Sequence, residues 1–535
     1  LVAVTENQHI EAGESEAKAA CFPIPWSLLA LLCLIAAAVV RIPFWPDTLF
    51  SEDCFNFAQA LQKFDPRNLV PQPPGYPLFV LQSQALQTVF GTAERTFLAG
   101  VVAGTAAALF LSALLGWEMT RSRQGALLAW LLFAASPTFW FAGLTSTIRI
   151  YIAVVTLAVV LFCWRLWWGD RRWWWAAALA LGLGSGYRPE LLPALLPLWA
   201  VATWRGVPDP PGRLRAAAVL LGGFAVWFIY LYSHFEDWRA FWLVQTDYLE
   251  NQSEDFSLVY GARVEGWLRM LCKFVAWYAV PAMGWIAFLP FARARLAPGA
   301  RSVLVLAIAP LAVFHLLVHL GAPDHAVGQT ALLAIIGGAV LANLTLRYPD
   351  LRWLAAGAAL AVGVVFFLYP PSIGKPVPPA RIASNLAKQL SDALWENSWP
   401  AFQTVEERSS QTMAAVRKIL REAPQGTLVV WNRSPLAWRK LSYYEPQLPL
   451  LLLLDLNETG NLPHAALWRN LRLEKRWTGT PVEVPLGSAE RILWVLGEHS
   501  PIPKQMGGRL LPVGPWVFLS DAAPLELAGY RFVRD

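Results

Sequence analysis

Residues 41–78, RIPFWPDTLFSEDCFNFAQALQKFDPRNLVPQPPGYPL, join an apolar run on one side to a polar-studded apolar stretch on the other. From Glu52 to Phe64 the apolar residues Phe55, Phe57, Ala58, Leu61 and Phe64 recur at helical spacing, which predicts a short amphipathic helix on a membrane surface. Ser51 is placed to cap it, and Glu52 and Asp53 fall in its first turn, where the helix dipole favours carboxylates. Farther on, Pro71, Pro73, Pro74, Gly75, Tyr76 and Pro77 forbid both helix and central strand, so they predict a rigid irregular turn. Two readings of the acids stay open: dipole complements of a capped helix, or carboxylates held beside a rigid turn for chemistry.

Working outward, the chain divides by charge. Of 535 residues, 15% are charged and 56% fall in the hydrophobic class, against about 25% charged in ordinary soluble domains. Residues 1–370 hold 46 of the charges and 371–535 hold 34, densities of 12% and 21%. The first block therefore reads as a membrane domain and the second as water-soluble. Disordered chains, small disulfide scaffolds and plain cytosolic enzymes are excluded. No basic run accompanies the net charge of +6, which speaks against nucleic acid. Arg outnumbers Lys 34 to 9, as in GC-rich bacterial genomes.

A span needs about 20 apolar residues. Candidates are 25–41, 97–116, 124–137, 149–166, 173–187, 191–204, 214–234, 267–290, 302–320, 327–346 and 352–369, eleven in all. The stretch 76–90 carries Gln82, Ser83, Gln84 and Gln87 and reads as an interfacial or re-entrant helix. With the N-terminus inside, the cytoplasmic connections hold 13 Arg and Lys in about 48 residues, and the external ones 8 in about 97. The expected layout is an acidic cytoplasmic tail (1–22), a transmembrane domain (23–370) with external loops 41–96 and 235–266, and an external, periplasmic domain (371–535). The multi-pass protein would then sit in a bacterial inner membrane.

The turn and its upstream acid resemble the protein O-mannosyltransferase-like branch of the GT-C glycosyltransferases. That branch carries a D-S-G-E-like motif and then H-P-P-G-Y-P-L. Asp53 falls on the family Asp, and Pro73, Pro74, Gly75, Tyr76, Pro77 and Leu78 match the turn. PTFWFAGLTSTIRIYIAV resembles the family's P-T-x-W…E-V-Y-A-L segment through Pro137, Thr138, Trp140 and Tyr151, and GLGSGYRPELL resembles an L-x-R-P-E-G run of related mannosyltransferases. Three positions depart: Gln72 stands where the family has His, Asn56 where it has the motif Glu, and Arg149 where it has the Glu of E-V-Y. The resemblance implies a polytopic α-helical GT-C-like fold with a C-terminal α/β soluble domain.

It also implies inverting transfer of a mannose-like sugar from a polyprenyl-phosphate donor to a protein, lipid or glycan hydroxyl at the external face. Such chemistry asks for a carboxylate to take the acceptor proton and for cations to hold the leaving phosphate. Asp53 is the expected base and Glu52 its fallback; Arg149, Arg188, Arg269 and Lys273 are the phosphate candidates, with Arg188 also able to pair with Glu190. Gln72, Pro74, Gly75, Tyr76, Tyr151 and Glu190 are expected to line the cavity. No cofactor is required beyond the lipid-linked donor. His315, His319, Asp324 and His325 have a spacing that admits a metal, an interfacial structural role or contacts to substrate.

Within 371–535, helices over 403–423 and 435–444 and strands at 427–431, 448–454, 491–497 and 515–521 predict an α/β domain without a phosphate loop, zinc spacing or nucleophile elbow. It is expected to bind acceptor or to stabilise. Competing readings are a transporter or flippase, against which no internal repeat is found, and a non-catalytic binder of polyprenyl-linked glycans, which the three departures favour.

Overall fold

A computed structural model describes residues 25–534 except 255–256, 263, 373–381, 423–425, 455–463, 499 and 528, and the expected tail 1–22 lies outside the described residues. Among those described, six helices are long and apolar enough to cross a membrane: Trp26–Phe44, Ala93–Thr120, Ile150–Trp167, Pro210–Tyr232, Ala300–Leu317 and Pro323–Arg347. A seventh crossing is available if Arg123–Ala134 and Pro137–Leu144, bent by 53°, act as one. The chain is an integral membrane protein.

The other expected spans are helical but short or interrupted. Residues 173–187 yield Trp174–Gly184, and 191–204 become Leu191–Gly206 with Pro197 inside. Stretch 267–290 breaks into Val264–Phe274, a π turn at Val275–Ala279, and Val280–Ile286. Short or broken helices are tolerated in a membrane protein where neighbouring helices cover their backbone. The helix Val327–Arg347 is the most enclosed, and it packs closely on Arg123–Ala134 because Gly338 has no side chain. A Cβ there would stand 2.4 Å from the Gly125 carbonyl oxygen.

The C-terminal domain is built on a seven-stranded mixed sheet whose strands lie, across the sheet, in the order 472–478, 464–469, 450–454, 427–432, 491–496, 517–521 and 511–514. Its centre, β1 (Thr427–Asn432), β2 (Leu450–Leu454) and β6 (Arg491–Leu496), is parallel. These strands are buried on both faces, which is why LLLLL is continuous rather than alternating. Val430, Leu451 and Trp494 face one apolar cluster, and Val429, Leu450 and Leu493 the other. β3 (His464–Arg469), β4 (Arg472–Thr478), β7 (Leu511–Gly514) and β8 (Val517–Asp521) extend the sheet antiparallel. A small second sheet joins β5 (Val482–Pro485), β9 (Leu525–Leu527) and β10 (Tyr530–Val533). The helices Ile382–Glu396 and Trp399–Glu422 lead in from the membrane block.

This domain seats directly on the 41–96 loop. Phe50 stacks on Phe402 at 4.5 Å, and Phe44 meets Trp399 edge-on at 5.5 Å. The β1–β2 crossover helix, Trp438–Tyr444, brings Tyr443 and Tyr444 against Phe55. Tyr444 donates its hydroxyl to Glu94 at 2.8 Å and accepts from the Leu49 amide at 3.0 Å. Helix Glu52–Gln62, expected on a membrane surface, is therefore enclosed by protein on nearly every side, from Cys54 to Leu61. Its apolar stripe faces Tyr76 and Phe79 while the crossover helix covers another flank.

Candidate functional site

The site starts from the N-terminus of helix Glu52–Gln62. Ser51 caps it, accepting the Cys54 amide, and this fixes the direction of the next two side chains. The 71–77 turn comes alongside with Gly75 at φ +95 and Tyr76 at φ +46. Gly75 is required by that backbone conformation, and a Cβ there would lie 2.5 Å from Leu231 Cδ1, so that side chain would have to shift.

Each oxygen of Asp53 has one partner. Gln72 Nε2 donates to Oδ1 at 2.6 Å and Arg149 Nη2 to Oδ2 at 2.9 Å. Asn56 Nδ2 in turn donates to Gln72 Oε1 at 2.9 Å. Arg149 also lies 3.8 Å from Asp324, whose other oxygen accepts from Thr145 at 3.2 Å. Arg149 and Asp324 are nearly fully buried. Isolated charges are costly there, so the guanidinium and its two carboxylates stand or fall together. The three departures from the O-mannosyltransferase pattern, Asn56, Gln72 and Arg149, thus meet around one carboxylate. Where the pattern places two Glu and a His, this chain places two linked amides and a cation.

Beside this network, Arg188 is ion-paired with Glu190, donates to the Tyr76 hydroxyl at 3.4 Å and lies over the Tyr76 ring at 5.3 Å. Burial pushes the Tyr76 phenol above its ordinary value, so it stays protonated as a donor. Tyr248, from helix Trp238–Ser253 of the 235–266 loop, lies within electrostatic range of Tyr76, Asp53, Arg149 and Arg188, and burial raises its phenol as well. No motif marked it. Arg439, at the start of the crossover helix, lies within range of Glu52, Tyr248 and Asp53. The sequence offered no signal for it either, since 386 positions separate it from Asp53. Glu52 opens to the surface, yet partial enclosure by the soluble domain still raises its carboxyl. Water in the cleft screens much of that effect.

Other expected residues fall at the edge. Pro74 stays part of the turn. Tyr151 stacks on Tyr187 at 4.9 Å and donates to the Gly100 carbonyl at 2.9 Å; Gln82 bonds both phenols. It supports the floor, and none of its bonds reaches Asp53. Arg269 and Lys273 both pair with Glu396, at 3.8 and 3.2 Å. They border a cavity of about 180 Å³ with Gln252, His319 and Gly321. His319 lies within electrostatic range of Arg149 and Arg188 as well as Lys273.

The histidines gather here too: His325 is 6.2 Å from His315 and 5.5 Å from His319, ring centre to ring centre. The Tyr278 hydroxyl is 2.7 Å from His315 Nδ1, and Ser253 Oγ is 3.4 Å from His319 Nδ1. Among the described residues no three His, Cys, Asp or Glu side chains are grouped to hold a metal ion. Arg149 already supplies the positive charge beside Asp324.

No protein-family model and no curated protein matches the sequence. Among the solved structures that resemble the chain in fold are two of one protein. One is ArnT from Cupriavidus metallidurans bound to undecaprenyl phosphate, at TM-score 0.55 and 14% identity, covering 92% of this chain and 97% of that one. The other is the same protein in its apo state, at TM-score 0.53 and 14% identity over the same shares. The chain therefore has an ArnT-like GT-C fold, a helical membrane domain carrying a C-terminal sheet domain.

Proposed function

We propose that this chain is an integral-membrane glycosyltransferase. It moves a mannose-like sugar from a polyprenyl-phosphate donor to an acceptor hydroxyl at the external face of a bacterial inner membrane, with inversion. The observation that carries the reading is the carboxylate of Asp53, held by Gln72 on one oxygen and Arg149 on the other. It sits where the soluble domain closes over the membrane block. The shared fold supports a polyprenyl-phosphate donor, since one of those structures holds undecaprenyl phosphate, and the 73–78 turn supports the mannose-like sugar.

The chemistry follows from the arrangement. One hydrogen bond to each oxygen leaves acceptor capacity on Asp53 for an incoming hydroxyl. As that oxygen bonds to the sugar C1, Asp53 takes its proton and the C1–O bond to phosphate breaks, the electron pair leaving on the polyprenyl phosphate. Arg188 is a candidate for the leaving phosphate, helped by the Tyr76 hydroxyl; Arg269 and Lys273 serve from the cavity they border. Arg149, expected to bind phosphate, has its Nη2 engaged by Asp53, while its buried Nη1 has no partner among the described residues and remains able to reach a phosphate oxygen.

The test mixes purified protein in micelles with a panel of polyprenyl-phosphate sugars and an acceptor pool, with Asp53→Asn and Glu52→Gln in parallel. Transfer lost in Asp53→Asn and kept in Glu52→Gln is the expected result. Donor binding without transfer from any donor would leave the non-catalytic binder. That reading draws on the same Arg149–Asp53 ion pair, which neutralises the base.

A further inference from the structure

Arg439 belongs to the soluble domain, yet it faces the membrane site. The residue is only 8% exposed. The guanidinium lies 4.4 Å over the Trp438 ring and 5.9 Å from that of Trp468, and the two indoles are 4.8 Å apart. This aromatic bed fixes the plane of the fork. Among the described residues no carboxylate bonds to it: Nη1 is buried with no hydrogen-bond partner there, and Glu52 and Asp53 act on the group only through space. A buried guanidinium ordinarily sits in bidentate contact with a carboxylate or phosphate, because an unmatched one is costly. Burial accordingly pulls its pKa below the ordinary arginine value, with Glu52 opposing.

Its position decides which anion. Glu52 and Asp53 are consecutive on one helical turn, so their side chains diverge. Asp53 turns to Gln72 and Arg149, in the membrane block with Arg188, whereas Glu52 has Arg439 as the principal charge attracting it. The lipid phosphate must stay with the membrane-side cations, and the acceptor must reach Asp53 from the opposite side. Arg439 also follows the C-terminal end of β1, where open sheets with parallel strands present their ligand crevice.

We propose that Arg439, on its bed of Trp438 and Trp468, is an oxyanion subsite that selects acceptors carrying a carboxylate or phosphate group near the attacked hydroxyl. The assignment of the anion to the acceptor rests on the transferase reading above; the subsite itself does not. The soluble domain then completes the site rather than merely covering it.

The experiment uses the full chain in micelles without donor. Thermal midpoints are followed as inorganic phosphate, and separately acetate, is titrated at constant ionic strength, for wild type, Arg439→Gln and Arg439→Lys. Binding of undecaprenyl phosphate is measured on the same proteins. The wild type is expected to show saturable stabilisation. Arg439→Gln should weaken the apparent anion affinity by tenfold or more, and Arg439→Lys, which keeps the charge without the fork, by about threefold. Undecaprenyl phosphate should bind all three within twofold. An anion response unchanged in Arg439→Gln overturns the subsite; if that variant does not fold, an unchanged response in Arg439→Lys does so. Equal loss of undecaprenyl phosphate binding moves Arg439 to the donor side and overturns the acceptor assignment. Transfer activity is not read, so an inactive protein whose anion response depends on Arg439 sinks the transferase reading alone.

Discussion

The two flanks of the Glu52–Asp53 turn are built on opposite plans. On the membrane side, Asn56, Gln72, Asp53 and Arg149 are joined by hydrogen bonds and Asp324 lies 3.8 Å from Arg149, although Arg149 Nε and Nη1, Asn56 Oδ1 and Asp324 Oδ1 have no hydrogen-bond partner among the described residues. On the domain side, Glu52 is open to solvent and Arg439 is buried with an Nη1 that has no hydrogen-bond partner among the described residues. A closed network fixes geometry, while an open one waits for a ligand. Disturbing the closed flank should therefore damage stability and chemistry together, and disturbing the open flank should change ligand response more than folding.

The largest expected effect is that of Asp53→Asn. Replacing a general base removes about 10²–10⁴-fold of rate. Transfer should fall by that factor and the thermal midpoint should fall with it, because Arg149 loses the carboxylate 2.9 Å away and an amide NH2 would meet a donor where Asp53 accepts from both Gln72 Nε2 and Arg149 Nη2. Full activity in this variant would remove Asp53 from the chemistry. Next comes Arg149→Met, which strands Asp324 in a buried position. Breaking one partner of a buried ion pair costs about 3–5 kcal/mol, so the midpoint in micelles should drop markedly. Adding Asp324→Asn should recover part of the loss. A midpoint equal to wild type in the single variant would mean that the ion pairs do not hold the closed flank.

Legibility in the sequence follows the same division. The membrane block and the rigid turn could be read because apolar run length and proline chemistry act locally. Asp53 could be read because a motif marks it. The helix Glu52–Gln62 was legible as a helix but not in its surroundings, because the covering residues Tyr443 and Tyr444 lie nearly 400 positions away. For the same reason Arg439 and Tyr248 carried no signal. In the soluble domain the buried central strands stood out as apolar runs, whereas the exposed β4, RLEKRWT, did not. The departures at Asn56, Gln72 and Arg149 were visible one by one. That they compensate each other needed their hydrogen bonds.

A smaller effect probes the seam between the flanks. Tyr444→Phe removes the donor to Glu94 and the acceptor for the Leu49 amide. Loss of such bonds costs roughly 1–2 kcal/mol. A lower midpoint with transfer within about threefold of wild type is expected, because neither bond touches the Asp53 cluster. A collapse of transfer at preserved stability would show that domain seating itself controls the chemistry.

Glu52→Gln should have the smallest effect, and its sign matters most. Partial burial raises the Glu52 carboxyl in the folded protein, Asp53 adds to this, and Arg439 opposes it. A carboxyl raised on folding contributes stability that is present below its unfolded value and lost as pH rises through the folded one. The Gln variant lacks that loss. Relative to wild type it should gain stability as pH rises above the ordinary glutamate value of about 4.3, by roughly a few tenths of a kcal/mol because the side chain is exposed. Thermal midpoints of both proteins as pH rises check it. The opposite trend would mean that attraction to Arg439 outweighs burial. Glu52 and Arg439 would then be an ion pair, the domain flank would be as closed as the membrane flank, and Arg439 would have no vacancy for an acceptor anion.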